Sequence, residues 1–502
     1  MPQPAHAAAF QLEEATIASV HAAFSSGVLS CEQLVQAYLD RIAAYDRAGP
    51  ALRAVLSLNP HALEQARDLD ARYRRDPASA GPLHGVPLVL KDNIDAIGMP
   101  TSCGNVALQH QQPRQDAFTV ARLRAAGALV LAKTNLQELA RGGLTVSSLG
   151  GQTLNPYDLS RTPGGSSGGT GAALAANFAL AGQGTDTGQS IRSPCSANSL
   201  VGVRPTRGLV SRAGVVPNSF TQDETGPMAR TVRDAALLLD AMAGYDPGDP
   251  ITALGVGRRP ASYADGLQAH ALQGARIGLL TTLLGSAPRH QQVSACLLEV
   301  AQRMRALGAT VLAFEMPELA ELTARVATDS HEACAAFARH GAALPADAPV
   351  RSLAQLVATN TALPSIQAVL AQELDQQHAM DSEDYRIRLL NRERLRIALA
   401  ARMADLQISA VLYPLQSILV VPIGQDAQAE RNGVLSNGTG FPAVSFPAGF
   451  SAATPSAPLG VPIGAELLGL DYTEARLLAY AHAFEQAGPV RKPPLSTPPL
   501  GR

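Results

Sequence analysis

The sequence predicts an α/β fold: a large mixed, partly parallel β-sheet flanked by helices on both faces, with a helical insertion. A short apolar run, Val86-Pro87-Leu88-Val89-Leu90, is followed by a helical pattern from about Ala117 to Ala126 and then by a second apolar run, Ala128 to Ala132. Strand, helix and strand in this order read as a βαβ unit. The order recurs at Ile277 to Leu280, Gln291 to Leu307 and Ala309 to Phe314. Repeated units of this kind place a partly parallel sheet between layers of helix.

Composition bounds the remaining possibilities. The 502 residues are 46% hydrophobic and 16% charged, which supplies a large core and excludes a disordered chain. Lys+Arg 40 against Asp+Glu 42 gives a net charge of −2, so there is no electrostatic footprint for nucleic acid or an anionic membrane. No apolar run reaches about 18 residues, so no membrane span is expected. The cysteines Cys31, Cys103, Cys195, Cys296 and Cys334 lie far apart without a C-x-x-C pair, which fits a reducing compartment such as the cytoplasm. The histidines lack metal-ligand spacing, and neither metal nor cofactor is expected.

In chain order, the opening MPQPAHAAAF has neither the basic nor the apolar region of a leader and reads as a ragged terminus. Leu34, Val35, Tyr38, Leu39 and Ile42 share one face of a helix over about 32–45. Ser30 and Gln33 form its capping box, and Leu29 with Leu34 forms a hydrophobic staple. Asp116 is the expected cap of the helix near 117–126, with Gly127 just past its end. From about Glu315 to Leu406 Ala/Leu/Gln-rich helical sequence dominates, then strands return at Ala410 to Leu412 and Ala443 to Phe446. A last helix covers about Thr473 to Gln486, before a Pro-rich surface tail. The expected division is an N-terminal helical segment packing on the core (1–70), the core with the catalytic residues (71–314), a helical insertion shaping the substrate pocket (315–406), and the rest of the sheet with the last helix and tail (407–502).

The most unusual stretch is Arg161 to Pro194. Gly164-Gly165-Ser166-Ser167-Gly168-Gly169 opens a small-residue helix, Ala172 to Ala179, and Gly184-Thr185-Asp186-Thr187-Gly188-Gln189-Ser190 follows. So many glycines imply close backbone approach or unusual dihedrals. A phosphate loop would need a lysine after the glycines, and none is present. Gly164-x-Ser166-x-Gly168 matches the nucleophile elbow of an esterase, but Pro163 argues against the strand that should precede it. A flexible linker would not run straight into an apolar helix.

These loops closely resemble the amidase signature family. GGSSGG, the 24 residues from Ser166 to Ser190, and DTGQSIR occur together with GVPLVLKDN (85–93), AKTNLQELA (132–140), GGQTLNP (150–156), GVRPTRGLVS (202–211), DETGPMAR (223–230), NGTGFPAVSFPAG (437–449) and GVPIGAELLG (460–469). Within the family, DRAGPALRAVLSLNPHAL and GLVSRAGVVPNSFTQDETGPMAR look most like bacterial peptide amidases. The resemblance implies Ser190 as nucleophile, Ser166 as bridging serine after a cis Gly165–Ser166 peptide, and Lys91 as base. It implies an oxyanion hole from the backbone N–H groups of Thr187, Gly188, Gln189 and Ser190. Gln189 stands where the family has glycine, which leaves its dihedral and the room for its side chain in question. A lysine acts as a base only when neutral, and burial at a strand end would favour that form. Lys133 also ends a strand and ranks second as base. Asp186 and Arg192 read as a buried brace and Ser167 as a supporting hydrogen bonder. The expected activity is hydrolysis of a small amide or peptide amide through an acyl-enzyme, by a monomer or homodimer. Open alternatives are an aryl-amide or carbamate hydrolase of the same family, a glutaminase-type subunit of a tRNA-dependent amidotransferase, and an esterase using Ser166 with a histidine.

Overall fold

A computed structural model describes residues 10–501. Nine of the ten residues of MPQPAHAAAF lie outside the described residues. The fold is built on one sheet of 11 strands. In chain order these are β1 (Val55–Leu58), β2 (Pro87–Lys91), β3 (Leu129–Thr134), β4 (Ala181–Asp186), β5 (Val201–Arg204), β6 (Glu224–Ala229), β7 (Arg276–Leu280), β8 (Thr310–Phe314), β9 (Ala410–Pro414), β10 (Ala443–Phe450) and β11 (Pro462–Leu468). Their spatial order is β1-β3-β2-β4-β6-β5-β10-β11-β9-β7-β8.

Two of the parallel pairings, β2 with β3 and β7 with β8, are those of the two predicted βαβ units. β2 lies parallel to β3 and to β4, and β7 lies parallel to β8 and to β9. The crossover helices are Phe118–Ala125 and Gln291–Ala306. The pairings β4–β6, β6–β5, β5–β10, β10–β11 and β11–β9 are antiparallel. Every residue of β2, β3, β4, β5 and β6 is buried, as expected where helices cover both faces of a sheet.

Several elements depart from the expectations. The N-terminal part contributes β1, antiparallel to β3, at one edge of the sheet. Four residues are too few to show a period, so only the partner strand identifies it. β4 reads AGQGTD and β6 reads ETGPMA, compositions that disfavour strands. β6 accepts Pro227 because its ladder with β5 ends at Met228, while Pro227 faces Gln183 of β4. The predicted cap Asp116 instead accepts the Ile97 N–H at 2.7 Å, and the helix starts after Ala117 without a side-chain cap. The Ser30–Gln33 capping box is present. Residues 315–406 contain five α-helices and no strand of the sheet. The Pro-rich tail is tied down: Arg41, fully buried, donates to Thr497 O at 2.8 Å and Pro498 O at 3.0 Å.

The small-residue helix is Gly168–Ala175, so it begins inside the glycine run rather than after it. Tertiary packing overrides glycine's poor helix propensity here. A Cβ on Gly169 would lie 2.2 Å from Asn135 O, and one on Gly168 2.2 Å from Thr145 Oγ1. The helix can thus lie against the loop after β3 at backbone distance. Gly169→Ala is expected to destabilise the protein by about 1–3 kcal/mol or more through overpacking, measured as a fall in denaturant midpoint at unchanged m-value.

Candidate active site

Lys91 is the last residue of β2 and is fully buried. Its Nζ lies 2.7 Å from Ser166 Oγ, 2.6 Å from Thr185 Oγ1 and 3.4 Å from Thr185 O. No carboxylate stands within ion-pair distance of it among the described residues. Burial pushes its pKa down to about 7, against the pull of Asp186 and Asp223 in the opposite direction. A buried amine surrounded by hydroxyls and a carbonyl favours the neutral form. Thr185 carries no signal of this role in the sequence. It sits on β4 beside β2, and its hydroxyl also accepts from Asn93 Nδ2 at 3.1 Å.

Ser166 is placed by close backbone contacts. The Gly165–Ser166 peptide is cis. The Ser166 carbonyl accepts the Gln137 N–H at 3.0 Å. A Cβ on Gly165 would lie 2.7 Å from Gly143 C, and one on Gly164 2.9 Å from Ser193 O. The next residue, Ser167, donates its hydroxyl to Thr185 O at 3.2 Å and accepts the Thr185 N–H at 3.3 Å. It thereby steadies the residue that touches Lys91.

Ser190 follows β4 across a short loop and is 8% exposed. The Ser167 N–H donates to the Ser190 carbonyl at 3.1 Å, which fastens the two serine loops together. The Ser190 hydroxyl has no protein partner among the described residues. Neither do the backbone N–H groups of Thr187, Gly188, Gln189 and Ser190, so four donors remain free on one loop. The Gly188 carbonyl is held on the other side of that loop by Asn437 Nδ2 and Arg192 Nη2, both at 2.7 Å. A cavity of about 300 Å³ opens against Thr185 and Thr187 and is also lined by Asn93, Asn218 and Asp223.

The brace behind the loop is larger than the expected pair. Asp186 meets Arg192 Nε at 3.0 Å and Arg204 Nη1 at 2.9 Å, and Arg192 Nη1 meets Glu466 at 2.7 Å, all fully buried. The Ile191 N–H also donates to Asp186 at 3.1 Å. Burial would raise the Asp186 pKa, but the two guanidiniums outweigh it and hold the carboxyl well below its usual range. Arg204 lies within GVRPTRG and Glu466 within GVPIGAELLG, yet only the fold brings them to Asp186.

Gln189 adopts no left-handed backbone conformation, so the dihedral does not require glycine. Its side chain is buried, with Nε2 and Oε1 both unpaired. Gly433 makes the room: a Cβ there would lie 2.5 Å from Gln189 Cβ. Lys133 does not join the serines. It pairs with Asp92 at 3.0 Å and donates to Pro100 O at 2.8 Å. Among the described residues the only side chain bonded to the Ser166 hydroxyl is that of Lys91, and no histidine stands there for the esterase reading. All five cysteines are free, and burial pushes the Cys195 thiol up.

Known proteins share this arrangement of chain and fold. The family model described as Amidase matches residues 33–478. The chain belongs to the amidase signature family. Peptide amidase from Stenotrophomonas maltophilia superposes with a TM-score of 0.86 at 39% identity, covering 96% of this chain and 98% of that one. A probable amidase of Arabidopsis thaliana is 35% identical, covering 97% of this chain and 92% of its own. A glutamyl-tRNA(Gln) amidotransferase subunit of Thermus thermophilus is 36% identical over 93% of this chain and 96% of its own. This amidase is therefore an enzyme that hydrolyses amide C–N bonds, built on the mixed-sheet fold of its family. No helix among the described residues is long and apolar enough to cross a membrane.

The buried charges generate a stability prediction. Arg192→Met leaves Asp186 short of one partner and Glu466 without a cation in the interior, held only by the Tyr413 hydroxyl. Unfolding in denaturant should show a loss of about 3–5 kcal/mol, the usual cost of breaking a buried ion pair from one side.

Proposed function

We propose that this amidase cleaves its substrate through Ser190, Ser166 and Lys91, by way of an acyl-enzyme. The observation that carries the reading is the 2.7 Å contact between Ser166 Oγ and a buried Lys91 Nζ that has no carboxylate within ion-pair distance among the described residues. Neutral Lys91 takes the Ser166 proton while Ser166 takes that of Ser190, and Ser190 Oγ attacks the amide carbonyl carbon. The closing of the Ser190–Ser166 hydrogen bond accompanies substrate binding, as catalytic hydrogen bonds commonly tighten in the complex. The oxyanion forms against the free N–H groups of Thr187 to Ser190, where each donor contributes about 2.7–4 kcal/mol in a dry site. Ser166 then gives its proton to the leaving nitrogen, the C–N bond breaks, and Lys91 returns its proton to Ser166. Water attacks the acyl-enzyme through the same relay in reverse.

The likeness to peptide amidase over nearly the whole of both chains supports a peptide amide or another small amide as substrate, with ammonia or an amine released. Residues 315–406 are read as the insertion that shapes the entrance. The unpaired cysteines support a cytoplasmic location for a monomer or homodimer. The likeness to amidotransferase subunits favours a second reading, glutamine hydrolysis within a complex. Hydrolysis of non-glutamine amides, anilides or carbamates by the isolated chain separates these readings.

Lys91→Ala, Ser166→Ala and Ser190→Ala should each abolish turnover of a peptide amide while circular dichroism stays unchanged. A Ser190→Ala enzyme of near-normal rate would falsify the assignment. The pH profile follows from the neutral amine. Below about 7 Nζ gains a proton and loses the lone pair that the relay needs. The kcat/KM value should therefore fall about tenfold per pH unit on the acid side and level off above it.

A further inference from the structure

Away from the serines, a pocket of about 500 Å³ gathers four guanidiniums, those of Arg207, Arg258, Arg392 and Arg396. Its two carboxylates, Asp471 and Glu393, both pair with Arg396, at 2.7 Å and 3.5 Å. Arg207, Arg258 and Arg392 have no carboxylate within ion-pair distance among the described residues. Arg392 is 6% exposed, and its Nη2 donates to Thr221 O at 3.0 Å, a carbonyl that Arg207 Nη1 also approaches at 3.5 Å. Arg258 is steadied over the Tyr472 ring, 5.6 Å from its centroid. Burial, with Arg207 and Arg204 adding to it, pushes the Arg392 pKa down to about 10. Like charges drawn together at a half-buried site repel, and an anion between them relieves the repulsion.

We infer that this pocket binds a phosphoryl dianion, inorganic phosphate or a phosphomonoester, and that its occupancy is felt at the loop carrying Ser190. A tetrahedral dianion offers acceptors in several directions, which suits guanidiniums arriving from separate elements. The link runs through Arg392. Its Nη2 donates to Asn437 O at 2.7 Å, and Asn437 Nδ2 donates to Gly188 O at 2.7 Å. An anion that draws on Arg392 therefore bears on the carbonyl that anchors the loop of free N–H groups.

The test is calorimetric titration of the full chain with inorganic phosphate and, separately, phenyl phosphate, with sodium chloride at matched ionic strength as control. Saturable binding of a phosphoryl probe is expected, weakened about tenfold or more by Arg207→Ala or Arg258→Ala and less by the lysine variants. A saturating probe should also shift kcat/KM on a peptide amide by about twofold or more, a shift absent in Arg258→Ala. Both alanine variants should keep their basal rate without phosphate. No binding, a response matched by chloride, or full affinity in both alanine variants overturns the site. Binding that leaves kcat/KM unmoved overturns the link to Gly188. The binding readout does not depend on the assignment of Ser190, whose failure would show in the alanine series above.

Discussion

The constraint on which the site depends is an amine at the end of a fully buried strand with no carboxylate within ion-pair distance among the described residues. A lysine in that position is costly when charged. The surroundings accept its neutral form, with the Thr185 hydroxyl and carbonyl on one side and the Ser166 hydroxyl on the other. The chain spends a parallel strand pair, β2 beside β4, on holding Lys91 and Thr185 side by side. The serine loops then close over that pair, and glycines keep their backbones near enough for side chains of ordinary length to meet.

Charge is arranged around this amine with evident separation. Asp186, the carboxylate that acts most strongly on Lys91, is only one residue from Thr185, yet its charge is absorbed by Arg192 and Arg204. Were Asp186 free to face Lys91, the ammonium would be stabilised and the lone pair lost. Arg192, together with Asn437, also holds the Gly188 carbonyl. Carbonyls bound on one side of the loop leave N–H groups free on the other. One ionic cluster therefore bears both on the surroundings of Lys91 and on the loop of free N–H groups.

Much of this was legible in the sequence, for identifiable reasons. The two βαβ units were visible because apolar runs and helical periodicity are local signals, and their parallel pairings are present in the sheet. The serine loops stood out through their glycines, and the resemblance they carry led to Lys91, across 75 residues of chain from Ser166. What escaped was set by tertiary contact. β4 and β6 lack strand composition because burial from both sides, not propensity, makes them strands. Thr185, Arg204, Glu466 and Asn437 lie within stretches that were singled out, but no role was legible for any of them, because it lies only in what the fold sets beside them. The helix over the glycine run started earlier than its alanines suggested, since backbone proximity to Asn135 and Thr145 dictates where it begins.

Gln189 and Gly433 occupy one space between them. The side chain at 189 fills part of what a larger residue at 433 would need, and the bare backbone at 433 admits what a glycine at 189 would leave empty. Enlarging 433 is barred by Gln189 and by the Gly188 carbonyl, 2.6 Å from where a Cβ would stand, and glycine at 189 would open a void beside Ser190. Position 433 is therefore held to glycine whatever stands at 189, and a library that enlarges it will sample mostly misfits.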